Sequence, residues 1–414
     1  MARLQPVRGT HDLLPDQARA FRRVADGARS VAERYGYHEM ATPIFEFSEV
    51  FKRTLGDTSD IVTKEMYTFA DRSGAEITLR PEGTAGVARA VISGGLAQHM
   101  PLKYFYAGPM FRYERPQKGR LRQFHQIGIE LLGVAEPLGD IEAIALGAAT
   151  LDALGVAGQV TLELNTLGNA QSRAAYREVL VDYFEARRDD LSRDSIERLA
   201  RNPLRILDSK NPGDRAAIAG APTLGDSLDA ESADFFASVR DGLDRLGIAH
   251  TVNPRLVRGL DYYCHTAFEF TTQALGAQGA VIAGGRYDGL IGQMGGPQTP
   301  GVGWAGGIER LSMLAGAPDP PPRPIALIPV GARAETETLV LADRLRRAGF
   351  AVELGYRGNL RRRLSRADRV NARAAVILGE DELARDMATV RDLDSGAQDE
   401  VPLAALADRL AGLS

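Results

Sequence analysis

The stretch Met110-Phe-Arg-Tyr-Glu-Arg-Pro-Gln-Lys-Gly-Arg-Leu-Arg-Gln-Phe-His-Gln126 reads as strand, basic loop, strand. Side chains along a strand alternate between its two faces. Past the loop, Ile127, Ile129 and Leu131 therefore point one way, and Gln126, Gly128 and Glu130 the other. Before the loop, Arg112 and Glu114 share a face. A hairpin brings Arg112, Glu114, Gln126 and Glu130 onto one polar floor. Taken alone, the same pattern is also that of a solvated sheet face with a flexible basic loop.

Outward from this hairpin, further strand runs are expected at Ile77–Leu79, Lys103–Tyr106, Met110–Glu114 and Arg122–Leu132, then at Val160–Leu164, Thr266–Thr271 and Ala280–Ala283. A helix is expected over Asp16–Tyr35, where Phe21, Val24, Ala25, Ala28, Val31, Ala32 and Tyr35 recur at helical spacing between Pro15 and Gly36. Strands joined by short turns, with helices gathered elsewhere, predict an α+β fold: a mainly antiparallel sheet flanked by helices. A helical, Arg- and Asp-rich insertion occupies about residues 169–225. The stretch Ala315-Gly-Ala-Pro-Asp-Pro-Pro-Pro-Arg-Pro324 is a stiff linker by composition. Beyond it, Ile325–Val330, Val352–Tyr356 and Ala374–Leu378 alternate with the amphipathic stretches Ala334–Ala348 and Asn359–Asn371, the rhythm of a small α/β domain with a parallel core. The expected domains are residues 1–320 and 325–414.

Composition narrows the class. The 414 residues are 44% hydrophobic and 25% charged, which excludes a disordered or fibrous chain. No apolar run approaches the roughly 18 residues that cross a bilayer, so no membrane partner is expected. A single cysteine, Cys264, excludes an intramolecular disulfide and a cysteine-built metal cluster, and suggests a reducing, cytoplasmic compartment. The six histidines lack metal-ligand spacing, so no protein-built metal site is expected. No Gly-Lys pair exists, which rules out a Walker A loop. Gly301-Val-Gly-Trp-Ala-Gly306 matches GxGxxG, yet Gly295-Gly-Pro-Gln-Thr-Pro300 precedes it where a dinucleotide fold needs a strand.

Three more segments carry polar chemistry at strand ends. Arg80-Pro-Glu-Gly-Thr84 holds a charged pair, Arg258-Gly-Leu-Asp-Tyr-Tyr263 an arginine and two aromatics, and Ala283-Gly-Gly-Arg-Tyr-Asp-Gly289 a glycine-rich turn with Arg286 and Tyr287. Each alone is compatible with a turn and a structural ion pair. Together with the hairpin they suggest one deep site for a ligand with both phosphates and an amine or imidazole. Arginines would hold the phosphates bidentately, and carboxylates with a tyrosine would hold the nitrogen groups.

These residues resemble the bacterial histidyl-tRNA synthetases, and the resemblance spans nearly the whole chain. Gly36–Pro43, Phe111-Arg-Tyr-Glu with its basic loop, and Gly301–Leu311 are similar to the three class II aminoacyl-tRNA synthetase signatures. Arg258-Gly-Leu-Asp-Tyr-Tyr and Ala283-Gly-Gly-Arg-Tyr-Asp are the more specific marks of the histidine family and its paralogues, and Val7-Arg-Gly-Thr-His-Asp12 is typical of it. The resemblance implies activation of L-histidine by ATP, with Mg2+ accompanying the nucleotide, and transfer of histidine to the terminal ribose of its tRNA. It implies Arg112 on the α-phosphate, Arg310 on the far end of ATP, Arg258 bridging the histidine carboxylate and α-phosphate, and Glu114 in the ATP site. Glu82, Thr84 and Gln126 would hold the α-amino group, with Gly83 also in the histidine site. Glu130 and Tyr263 would read the imidazole, with Tyr262 and Tyr287 lining the pocket. A homodimer is implied too. The alternative is the family's non-catalytic paralogue, the regulatory subunit of ATP phosphoribosyltransferase, which usually lacks the last domain and erodes the ATP arginines. Here Arg112, Arg258 and Arg310 are all present.

Net charge is −4, which by itself argues against a nucleic-acid partner. Its distribution argues otherwise. Arg357 to Arg373 holds seven arginines against one acid, Asp368. On a helix, Leu360, Leu364, Ala367 and Val370 form an apolar stripe, and Arg362, Arg366, Arg369 and Arg373 a basic one. Such a stripe is either a solvated face or a phosphate-contacting one. The resemblance implies anticodon binding by this domain, and acceptor-end contacts from Lys118 and Arg120 in the loop Pro116–Leu121.

Overall fold

The computed structural model describes residues 3–413 apart from 57, 58, 60, 117, 118, 208, 210, 258–261, 277 and 278. The chain divides into two compact units, Met1–Pro318 and Asp319–Ser414.

The strands of the first unit are β1 (His38–Glu39), β2 (Phe45–Phe47), β3 (Tyr67–Ala70), β4 (Glu76–Leu79), β5 (Leu102–Phe111) and β6 (Gln123–Leu132), followed by β7 (Thr161–Thr166), β8 (His250–Val252), β9 (Cys264–Thr271), β10 (Ala280–Arg286) and β11 (Gly301–Gly307). Eight of them form one sheet in the order β1-β5-β6-β11-β10-β9-β7-β8. Its inner pairs are antiparallel and its edge pairs, β1 with β5 and β7 with β8, are parallel.

Alternation along the strands separates two cores. Phe105, Ile127, Ile129, Leu131, Phe268, Phe270, Ile282 and Trp304 pack on one face under the helices Pro15–Arg34, Pro137–Ala153, Ala230–Arg245 and Ile308–Ala315. The first of these starts with proline at its first turn, where the missing N–H costs nothing, and buries Val24, Ala28, Val31 and Ala32 along one stripe. The opposite face carries Tyr106, Met110, Tyr262, Tyr263 and Tyr287, covered by the helices Ser48–Leu55 and Thr84–Ser93. That face, carrying a cluster of tyrosine hydroxyls, is where the polar site forms.

Several expectations need correction. Lys103–Tyr106 and Met110–Glu114 are one ten-residue strand, β5, which ends at Phe111. It runs through Gly108-Pro109 because β1 pairs only with Tyr104 and Phe105. Pro109 therefore lies at an edge, where a missing donor is tolerated, and its carbonyl accepts from Arg80 Nε at 2.8 Å. Ile77–Leu79 belongs to a separate three-stranded sheet, β2-β4-β3. The GxGxxG stretch is a strand in its own right, β11, seated between β6 and β10. The insertion contains the helices Ala170–Glu185, Arg193–Arg201 and Arg215–Ala219 around its own core of Tyr176, Leu180, Phe184, Leu199 and Ile206.

The second unit contains β12 (Ile325–Val330), β13 (Val352–Leu354), β14 (Ala374–Gly379), β15 (Met387–Asp392) and β16 (Gln398–Pro402) in the order β13-β12-β14-β15-β16. The first three are parallel, as the sequence predicts. β15 and β16 add an antiparallel hairpin that the strand–helix rhythm does not announce.

Candidate active site

The helix Thr84–Ser93 begins just past β4, and its first N–H groups need acceptors. Glu82 supplies them: its carboxylate accepts from the backbone N–H of Thr84 at 2.7 Å and of Ala85 at 2.8 Å. Gly83 lies so close beneath the Tyr106 ring that a Cβ there would strike it. The Thr84 hydroxyl donates to Oε1 of Glu130 at 2.7 Å. The Tyr287 phenol, carried just beyond β10, donates to Oε2 of the same carboxyl. Glu130 is 1% exposed. Across the ladder, a Cβ at Gly303 would collide with its carboxylate, so β11 is glycine where it passes this acid.

Two buried carboxyls here are costly to ionise. Burial first, and then the neighbouring Glu82 charge, push Glu130 up to about 8, against the Tyr287 and Thr84 hydroxyls that favour its charged form. Burial raises Glu82 as well, while its two backbone N–H donors pull the other way. A ligand group that is cationic or presents an N–H relieves this strain; an apolar isostere does not.

A cavity of about 300 Å³ opens beside these acids. Glu82, Thr84, Gln126, Tyr262 and Tyr263 line it, and so do Arg112, Arg120 and Arg310. Tyr262 packs on Tyr263 with ring centroids 4.6 Å apart and meets Tyr287 edge-on at 5.7 Å. Arg112 Nε donates to the Pro81 carbonyl at 2.9 Å, and its guanidinium rests 5.3 Å from the Phe124 ring centre. Arg310 donates through Nη1 to the Ala280 carbonyl at 2.5 Å. Glu114 is buried and ion-paired with Arg120. The cavity thus combines the Glu82 carboxyl with three guanidiniums, suited to a zwitterionic amino acid and a polyphosphate. Glu130 and Tyr287 stand behind it, Glu130 bonded to the lining Thr84, and Glu114 does not line it. Arg258 and Lys118 lie outside the described residues.

Two arginines of the polar segments serve elsewhere. Arg286 is wholly buried and bonds to the equally buried Asp140, to Asp288 at 3.1 Å and to the carbonyls of Val134 and Glu136. Arg80 does not pair with Glu82; it donates to the carbonyls of Pro109 and Thr42. Both brace the walls of the site. Conversely, Phe124, Trp304, Glu269 and Glu309 line the cavity without having been singled out. Glu309 is held by the backbone N–H of His125 at 2.9 Å. Glu269 had a signal: it is the polar residue between Phe268 and Phe270, which face the helix-side core.

In the second unit the helix Leu360–Arg369 exposes Arg362, Arg366 and Arg369. Arg366 reaches Glu353 at 2.7 Å, and Arg373 is tied to Asp394 at 2.7 Å. The expected apolar stripe holds at the buried Ala367 and the half-buried Leu364 and Val370, but not at its start. Leu360 is 40% exposed, and Arg363 is buried in its place, bonded to the Pro329 carbonyl and to Glu335 at 2.7 Å.

Comparison with known proteins gives the following. A family model described as Histidyl-tRNA synthetase matches residues 9–311, and one described as Anticodon binding domain matches residues 325–413. A curated relative from Rhodospirillum rubrum, named Histidine--tRNA ligase, is 64% identical over 412 residues, covering 99% of each chain. One of the same name from Gluconacetobacter diazotrophicus is 58% identical over 414 residues, covering 100% of each. The crystal structure of apo S. aureus histidyl-tRNA synthetase superposes with a TM-score of 0.83 at 32% identity, covering 98% of this chain and 99% of that one.

Proposed function

We infer the chemistry from a plain premise: the chain belongs to the histidyl-tRNA synthetase family, and it is an ATP-dependent ligase that joins histidine to tRNA. The observation that carries the substrate reading is Glu130, buried and facing two hydroxyl donors, beside a cavity that also holds Arg112 and Arg310.

In this reading Glu130 and Tyr263 take the imidazole, with Tyr262 and Tyr287 around it. Glu82, Thr84 and Gln126 take the α-amino group, with Gly83 beside them in the histidine site. A histidine carboxylate oxygen attacks the α-phosphorus of ATP, the α–β phosphoanhydride breaks, and pyrophosphate leaves. Arg112 and Arg258 neutralise the charge that grows on the α-phosphate, a preorganised electrostatic role. Glu114 and Arg310 orient the nucleotide. A hydroxyl of the tRNA terminal ribose then attacks the activated carbonyl and AMP departs. No side-chain nucleophile is needed; positioning supplies the rate. Mg2+ would accompany ATP, and Glu269 and Glu309, the further carboxylates lining the cavity, would be the side chains placed to help hold it.

Lys118 and Arg120 are proposed to meet the acceptor end, and Arg362, Arg366 and Arg369 the anticodon stem-loop, so that residues 1–320 carry catalysis and residues 325–414 carry anticodon binding. A homodimer is supported by the three-stranded sheet. Phe47, Ile77 and Phe69 lie in one register row, and Phe45, Leu79 and Tyr67 in another two residues on, which puts six apolar side chains on one face. Phe47 is 63% and Phe69 48% exposed, and contiguous exposed apolar side chains of this kind mark association surfaces. No helix among the described residues is long and apolar enough to cross a membrane; a cytoplasmic location suits the substrates. The regulatory paralogue is disfavoured by Arg112 and Arg310 in the cavity and by the module over residues 325–413.

The deciding experiment is ATP–pyrophosphate exchange with each amino acid in turn. Exchange with histidine alone is expected; exchange with another amino acid, or with none, overturns the reading.

A further inference from the structure

We propose that Arg173, on the first helix of the insertion, is a positioning residue for the amino-acid pocket, so that the insertion forms part of the histidine site. The proposal rests on the reading above that Tyr263 faces the imidazole.

The path begins where β7 leaves the sheet. Leu167 N–H donates to the His265 carbonyl at 2.6 Å, and His265 N–H donates to the Gly168 carbonyl at 2.8 Å. The exit into the insertion is therefore paired with the start of β9, directly after Tyr262 and Tyr263. His265 holds a φ of +43°, left-handed backbone that is uncommon for a side-chain-bearing residue. Its ring is pinned on Phe235, centroids 4.7 Å apart.

The base of the helix Ala170–Glu185 is equally constrained. Asn169 caps it by accepting from Ser172 N–H at 2.9 Å, and donates through Nδ2 to Asp229 at 2.6 Å. Asp229 caps the helix Ala230–Arg245 by accepting from Ser232 N–H at 2.7 Å, and its own N–H donates to the Ser172 hydroxyl at 3.1 Å. The two helix N-termini thus lock each other. One residue beyond this lock, Arg173 extends its half-buried side chain and donates through Nη1 to the carbonyl of Tyr263. Tyr263 lines the cavity with its ring and stacks on Tyr262. A cation on a rigid helix base holding the backbone of a pocket residue sets where that ring stands. A load on the insertion, such as bound RNA, would thereby reach the backbone of Tyr263 in the histidine site.

The test is steady-state ATP–pyrophosphate exchange on the full-length protein with Arg173→Ala, Arg173→Lys and, as a control on the next turn of the same helix, the exposed Arg177→Ala. KM for histidine should rise about tenfold in Arg173→Ala, with KM for ATP within twofold of the parent and thermal midpoint unchanged. Arg173→Lys, which keeps a cationic donor, should recover most of the affinity, and Arg177→Ala should match the parent. An unchanged KM for histidine in Arg173→Ala would overturn the proposal. So would a parallel loss for both substrates with a lowered thermal midpoint, since that is the mark of a purely structural contact. If Arg173→Ala does not fold, the lysine variant and Arg173→Gln are compared on the same two KM values. Absence of histidine-dependent exchange in the parent protein would instead sink the substrate reading itself, so the two failures are distinguishable.

Discussion

Tyr287 and Glu130 stand 157 residues apart in the chain and meet in a buried hydrogen bond, phenol to carboxyl, one hydrogen bond away from the cavity-lining Thr84. The contact forms because β11 lies between β6 and β10 and is glycine at position 303, leaving room for the carboxyl. An acid held this way is strongly coupled to pH.

Because the carboxyl of Glu130 is raised to about 8 in the folded protein, folding favours its protonated form. Its contribution is fully present below the unfolded value, near 4.3, and is lost as pH rises toward 8. Glu130→Gln removes that dependence. Between pH 6 and 8.5 the thermal midpoint of the ligand-free parent should fall more steeply than that of the variant, by a difference worth at least about 1 kcal/mol. Parallel curves from differential scanning fluorimetry would contradict the assignment. The same variant should bind histidine poorly.

Arg112→Ala should lower kcat for pyrophosphate exchange by roughly 10²–10³, the usual consequence of losing one preorganised donor to developing charge. Arg258→Ala should abolish exchange while circular dichroism stays native. Near-normal exchange in either variant would remove it from the proposed mechanism.

The Arg286–Asp140 pair is buried on both sides. Asp140→Asn strands the guanidinium, and urea denaturation should report a loss on the order of 3–5 kcal/mol. A loss below about 1 kcal/mol would mean that Asp288 and the Val134 and Glu136 carbonyls satisfy Arg286 alone.

Phe47→Asp combined with Phe69→Asp puts like charges into the apolar face of the small sheet. Light scattering should find the parent as a dimer and the double variant as a monomer. A parent that is monomeric at micromolar concentration would refute the proposed interface.

Replacing Arg362, Arg366 and Arg369 together by alanine should raise KM for tRNA in charging assays and flatten its dependence on salt, by up to about three in the log–log slope. Pyrophosphate exchange should not change. Equal loss of both activities would contradict the division of labour between the two units.

Much of this was legible in the chain. Alternation at Ile127, Ile129 and Leu131 gives the face of the hairpin, and the proline-rich stretch before Pro324 marks the passage between units. Seven arginines between 357 and 373 expose the basic helix that a net charge of −4 conceals. These signals are local: period, turn chemistry and charge spacing act within a few residues. The β15–β16 hairpin, the unbroken run of β5 through Pro109 and the burial of Arg363 in place of Leu360 carry no such signal, because each depends on which element packs beside it.

The arginines draw the line most sharply. Arg80, Arg112 and Arg286 are the same residue type, each at or just past a strand end, and the sequence determined only that charge would gather at those ends. Tertiary structure decided that Arg112 faces the cavity, while Arg80 spans to Thr42 and Pro109 and Arg286 sinks onto Asp140. The reason is desolvation. A buried guanidinium must find oxygen partners, and those partners come from segments far away in the chain, so its role is set when the segments meet.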